Sequence, residues 1–176
     1  MRPSRDAYFL ELTRLIATRS TCLRRAVGCV LVNARGHVLA TGYNGVAAGL
    51  PHCNESFYED DEGVLHDESI EGAQRLVHPR ACVGAFRADG KRWSSGKNLE
   101  GCEAIHAEQN ALLQCRDVWE IDTAYVTVSP CLTCVKLLLN TACRRIAFTE
   151  RYAAPHHDAA ASLWQQSGKR SWIKLD

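Results

Sequence analysis

The chain has 176 residues, of which 46% are hydrophobic and 7% aromatic, and its 21 Lys and Arg against 20 Asp and Glu leave a net charge of +1. That length and apolar content fit one globular domain with a real core, and no apolar run approaches a membrane span. The near-neutral balance supplies no electrostatic footprint for a polynucleotide backbone, so no nucleic-acid partner is expected.

From the N-terminus, Phe9, Leu12, Leu15 and Ile16 recur at helical spacing, and Ser4 to Thr18 reads as an amphipathic helix. Arginines interrupt that stretch, so it lacks a signal-peptide core, and a cytosolic protein is expected. Val27 to Val32 and His37 to Thr41, joined by Asn33-Ala34-Arg35-Gly36, carry a β-hairpin signal. A long irregular region follows from Gly42 to about Gly101, with a short helix expected at Glu68 to Val77. Its length marks it as functional or as an insertion with structure of its own. Acidic residues from Glu55 to Glu71 and basic residues from Arg75 to Lys97 give it two charged faces that read as solvated surface.

Beyond it, Ile105 to Cys115 has a helical pattern, Ala124 to Val128 is strand-like, and Leu132, Val135, Leu138 and Leu139 mark a further helix. Arg145 to Thr149 reads as strand, Asp158 to Gln166 as helix and Ser171 to Leu175 as strand. Strands alternating with helices after an opening hairpin predict an α/β fold, a mixed sheet covered by helices on both faces. No repeat or second domain is visible, so residues 1–176 read as one domain with an insertion at about 54–101.

Chemistry concentrates in His106-Ala107-Glu108 and in Ser129-Pro130-Cys131-Leu132-Thr133-Cys134. A C-x-x-C pair alone is equally a redox pair, a zinc ligand pair or a coincidence. Joined to H-x-E, it is the signature of zinc-dependent nucleobase deaminases, in which the Glu moves protons and does not bind metal. His106, Cys131 and Cys134 would hold zinc with the fourth position left for water, and Glu108 would serve as general acid and base. Ser129 as N-cap and Pro130 at the first helical position would set both thiols at a helix N-terminus, whose partial positive charge favours thiolates.

These motifs, with Thr41-Gly42-Tyr43-Asn44-Gly45, resemble the deoxycytidylate deaminase family in three blocks: Cys22 to Gly45, Gly101 to Cys115 and Tyr125 to Phe148. The resemblance implies a cytidine deaminase-like three-layer αβα sandwich, hydrolysis of dCMP to dUMP and ammonia for thymidylate synthesis, and a homo-oligomer, usually a hexamer. It implies that the Ala107 N–H holds the pyrimidine carbonyl, that the Ser129 carbonyl accepts from the amino group and that Asn44 contacts the sugar. Arg24 and Tyr152 are the candidates for the phosphate. Many relatives respond to dCTP and dTTP, with Mg2+ accompanying the nucleotide, and Gly42, Tyr43, Asn44 and Gly45 are the stretch implicated.

Nine cysteines in a reducing compartment point to metal ligation and core packing rather than disulfides. Cys29, Cys115 and Cys143 fall on predicted strands or helices and read as core. Cys22, Cys53, Cys82 and Cys102 fall in connections, and the resemblance places cysteines at Cys53 and Cys102, so the four are expected to hold a second, structural zinc, with His52 and His78 as alternative ligands. The competing readings are a deaminase of dCTP or of a C5-modified dCMP, and, further off, one acting on polynucleotide cytosine.

Overall fold

Ser4 opens the first helix by accepting a hydrogen bond from the Ala7 N–H at 3.1 Å, and α1 runs Arg5–Ala17. The computed structural model describes residues 2–50, 52–53, 57–59, 61, 65–66, 74–76, 103–152, 156–168 and 170–176. By its internal contacts the chain forms two units, one of Met1–Ser20, Ala26–Asn44 and Ile105–Asp176, the other of Thr21–Arg25 and Gly45–Ala104.

In the first unit, β1 (Gly28–Val32) and β2 (Val38–Tyr43) form the expected hairpin, and α2 (Ala107–Gln114) leads to β6 (Thr123–Val128). There follow α3 (Leu132–Leu139), β7 (Arg145–Glu150), α4 (His156–Gln166) and β8 (Ser171–Lys174). The strands lie in the order β2-β1-β6-β7-β8. β1 is antiparallel to both its neighbours, and β6, β7 and β8 run parallel through the crossover helices α3 and α4, so the sheet is mixed as expected.

Side-chain alternation along the strands decides the layering. Cys29, Leu31, Ala124, Val126, Ile146 and Phe148 share one buried cluster with α2, α3 and α4, through Ala107, Ala111, Val135, Leu138, Ala160 and Trp164. The intervening Val30, Val32, Tyr125 and Ala147 pack with Phe9 and Leu10 of α1. Period two therefore sends successive residues of one strand to opposite faces, each covered by helix, and the result is an αβα sandwich. Full burial of each large apolar side chain there contributes about 1.5–3 kcal/mol. Cys29 and Cys143 are core as expected, while Cys115 closes α2 half-buried.

The second unit contains a three-stranded antiparallel sheet of β3 (Phe57–Glu59), β4 (Leu65–His66) and β5 (Gln74–Leu76) in the order β4-β3-β5. Gln74–Leu76 corrects the helix expected over Glu68 to Val77: its backbone pairs with Phe57–Glu59, a partner that local periodicity cannot reveal. No helix among the described residues is long and apolar enough to cross a membrane.

A polar clamp that the sequence does not announce fastens α1 to the sheet. Arg145 Nη1 and Nη2 donate to the two carboxylate oxygens of Asp6 at 2.8 and 2.7 Å, and the Tyr125 hydroxyl donates to Asp6 Oδ1 at 2.7 Å. The guanidinium hydrogen-bonded to Asp6 holds that carboxyl below its ordinary value, while burial and the neighbouring carboxylate push the Tyr125 phenol up to about 12. A depressed carboxyl stabilises the fold above its unfolded pKa, about 3.9, and that stability is lost as pH falls through the lower folded value. Asp6→Asn should cost about 1 kcal/mol at pH 7, because solvent screens this partly exposed pair. The gap between the two proteins in chemical denaturation should close as pH drops below about 4; a gap independent of pH would remove the ion pair from the account.

Candidate metal centre

Two helix N-termini converge in the first unit. His106 caps α2 in extended conformation (φ −71°, ψ 155°), and its backbone N–H donates to Gln109 Oε1 at 2.9 Å, the second half of a capping box. Cys131 caps α3, and Cys134 lies in its first turn. This corrects the expectation that Ser129 caps α3 with Pro130 at its first position: the helix starts at Leu132. Ser129 still follows the sheet, its N–H donating to the Glu150 carbonyl at 2.8 Å, and its Oγ is taken by the Tyr152 N–H at 2.8 Å. Pro130 also disfavours helical conformation at the residue before it.

The three expected ligands come together. Nδ1 of His106 is 3.4 Å from Sγ of Cys131 and 3.4 Å from Sγ of Cys134, and all three donor atoms lie within 4.8 Å of one another. A tetrahedral zinc with ordinary Zn–N and Zn–S bonds needs about 3.5 Å between nitrogen and sulfur, so the spacing fits the metal. Electrostatics agree. Hydrogen bonds from Cys134 and then His106 bring the Cys131 thiol down to about 4, while the Cys131 sulfur and burial push Cys134 up. Two sulfurs this close keep one proton between them unless a cation neutralises both, and soft sulfur with imidazole is the donor set that suits zinc. Interaction with Cys131 raises His106, so its ring too is tuned by this cluster.

Glu108 is 4% exposed. Burial pushes its carboxyl up to about 7, against the pull of His106. It stands in the first turn of α2, beside the ligands without being one of the three clustered donors. Such a group exchanges protons readily near neutrality.

The remaining expected site residues are distributed as follows. Ala107, fully buried, is the first residue of α2, and Ser129 is 2% exposed at the end of β6. Asn44 is buried, and its Oδ1 accepts from Ser20 Oγ at 2.7 Å and from the Val27 N–H at 2.8 Å. Tyr152, half-buried, follows β7. Cys22, Arg24, Gly45 and Cys53 belong to the second unit, where Cys53 is fully buried. Cys82, Cys102 and His78 lie outside the described residues. Gln109, Asn110 and His157 join the site without any expectation from the sequence. Gln109 stands three positions after an N-cap, which is a readable signal. Asn110 Nδ2 donates to the Tyr43 carbonyl at 2.8 Å and ties α2 to β2, a contact with no local signature.

Gly42 has a packing reason of its own. A Cβ there would stand 2.3 Å from the Ala107 carbonyl oxygen and 2.4 Å from the Ala111 nitrogen, so the backbone of α2 rests directly on β2. Gly42→Ala must displace the turn that carries His106 and Glu108. It should cost about 1–3 kcal/mol or more and weaken zinc retention, read by thermal denaturation and zinc content after dialysis against a chelator. Wild-type behaviour in both would show that α2 shifts freely.

The zinc-binding region model of cytidine and deoxycytidylate deaminases matches residues 3–150. Deoxycytidylate deaminase of Schizosaccharomyces pombe is 34% identical over 169 residues, an alignment covering 95% of this chain and 43% of that protein, so the chain spans about two fifths of that relative's length. Deoxycytidylate deaminase of Mycobacterium phage D29 is 35% identical over 148 residues, covering 84% of this chain and 95% of that protein. Among solved structures, dCMP deaminase of the cyanophage S-TIM5 in complex with dCMP and dUMP superposes with a TM-score of 0.64 at 22% identity over 99% of each chain, which shows a shared fold.

Proposed function

Because the chain belongs to the cytidine and deoxycytidylate deaminase family, we propose that it hydrolyses dCMP to dUMP and ammonia with zinc as cofactor, supplying dUMP for thymidylate synthesis. The observation that carries this reading is a buried proton-exchanging carboxylate, Glu108, set next to a His, Cys, Cys donor cluster of zinc dimensions. Zinc held by His106, Cys131 and Cys134 supplies Lewis-acid activation of water. Glu108 takes one proton from the attacking water and gives it to the ring nitrogen, then takes the second from the new C4 hydroxyl and gives it to the amine that leaves as ammonia. Ala107, at the first position of α2, has a backbone N–H that the helix itself does not use, and that group is suited to the pyrimidine carbonyl. The Ser129 carbonyl takes the amino group, Asn44 the sugar, and Arg24 and Tyr152 the phosphate.

Glu108→Gln should keep zinc and fold while lowering turnover at least 10²- to 10⁴-fold. A panel of deoxycytidine, dCMP, dCTP, 5-methyl-dCMP, CMP and a cytosine-containing oligonucleotide, followed by ammonia release, should give dCMP the highest kcat/KM. A site built to bind a phosphate rejects analogues lacking it, since its buried polar atoms are left unpaired. Preference for the oligonucleotide or the free nucleoside would refute the assignment.

We read the chain as one deaminase domain with an insertion at about 54–101, working in the cytoplasm as a homo-oligomer, by family likeness a hexamer. Gly42 to Gly45 form the response element for dCTP and dTTP, with Mg2+ accompanying the effector. A second, structural zinc is held by Cys22, Cys53, Cys82 and Cys102. Its support within the second unit is that Thr21 Oγ1 lies 3.4 Å from His52 Nδ1, which sets the residues preceding Cys22 and Cys53 side by side. Metal analysis should find two zinc ions per chain, and Cys53→Ser should release one of them. A single zinc per chain in fully active protein would end the idea.

A further inference from the structure

Ser129 is followed by Pro130 and then by the ligand Cys131, so whatever fixes Ser129 fixes the approach of one sulfur. Its backbone N–H is held by the Glu150 carbonyl, and its Oγ accepts from the Tyr152 N–H at 2.8 Å. One further contact is made by the hydroxyl: Oγ lies 2.7 Å from Nδ1 of His157, a buried pair. His157 is 7% exposed in the first turn of α4. Its ring stands edge-on to Phe148 of β7 at 5.8 Å and is tilted against Trp172 of β8 at 5.7 Å, and these two rings are themselves 5.3 Å apart. An imidazole boxed by two strands cannot swing away from the hydroxyl. Burial and then the Arg151 cation lower the ring below the ordinary histidine value, which keeps it neutral with an acceptor nitrogen available.

We propose that His157 is a positioning residue of the metal centre: its Nδ1 accepts the hydrogen bond of the Ser129 hydroxyl and thereby fixes the Ser129-Pro130 segment that sets both the Cys131 sulfur and the Ser129 carbonyl. The hydroxyl carries one proton and two lone pairs, so the Tyr152 N–H and His157 Nδ1 use complementary parts of it. The segment is thus held from β7, from the chain after β7 and from α4 at once. The substrate arm of this inference rests on the deaminase reading; its metal arm does not.

The test uses the full zinc-loaded chain. His157→Phe keeps the ring and its packing but deletes the acceptor, Ser129→Ala deletes the donor, and His157→Asn offers an amide oxygen where Nδ1 stood. Zinc transfer to a chromogenic chelator should speed up about tenfold in His157→Phe and in Ser129→Ala, the scale of one lost buried hydrogen bond. The double variant should be no faster than either single one. His157→Asn should remain within about threefold of wild type. KM for dCMP should rise in parallel with zinc release while kcat changes less, a split that a merely structural role would not give. Unchanged zinc release in His157→Phe, additive effects in the double variant, or His157→Asn as leaky as His157→Phe would overturn the proposal; Ser129→Ala carries the test alone if the phenylalanine variant does not fold. If wild type itself fails to deaminate dCMP while the release pattern holds, the positioning role stands and the substrate reading falls.

Discussion

A gap of cation size between one imidazole and two sulfurs keeps its dimensions only while two helix N-termini are pressed against one sheet. His106 stands at the start of α2 and the thiols at the start of α3, and both helix starts are governed by strands that precede or underlie them. β6 delivers Ser129 and Cys131 by running straight into the loop, and β2 seats α2 by offering no side chain at Gly42. The hydrogen-bonded order β2-β1-β6-β7 is therefore the ruler that sets the donor spacing. Helix N-termini at both ends of the ruler add partial positive charge where thiolates must persist.

The same convergence explains why an expensive group is tolerated. An isolated carboxylate buried to the extent of Glu108 is unfavourable, and the protein answers by letting its affinity for protons rise until exchange at neutral pH is easy. Stability is surrendered at the site and recovered away from it, through the Asp6–Arg145–Tyr125 clamp and the two apolar clusters that sandwich the sheet. The clamp joins the start of α1 to the parallel strands, so the face of the sheet opposite the metal centre is held by charge as well as by packing.

Much of this is legible in the residues themselves. The αβα class follows from alternation of strand and helix patterns. His106, Glu108, Cys131 and Cys134 follow from spacing that few other chemistries use. What escapes has non-local causes. Local rules make Ser129 the cap of α3 because they see a serine before a helix; its hydroxyl is instead engaged by Tyr152 and His157, whose proximity exists only after β7 and α4 have folded back. The strand at Gln74–Leu76 is likewise the product of a partner segment. Gln109 is visible in principle, since a residue three beyond an N-cap commonly reaches back to it. The Asp6–Arg145 pair, spanning most of the chain, leaves no trace that composition or periodicity can register.

Gly42 has a counterpart on the other face of the sheet. A Cβ on Gly28 would meet the Thr13 carbonyl oxygen at 2.2 Å and the Ala17 nitrogen at 2.8 Å, so α1 lies on β1 as closely as α2 lies on β2. The two glycines sit at consecutive rungs of one ladder, Gly28 opposite Tyr43 and Cys29 opposite Gly42. Elsewhere in the core a lost methyl group can be refilled by a neighbouring rotamer, and sequence can wander while volume is kept. At this pinch the three layers touch main chain to main chain, and no rotamer exists to absorb a change. Divergence within this sandwich should thus be free to rewrite the aliphatic interior yet remain arrested at this one ladder, where the spacing of its three layers is fixed by backbone alone.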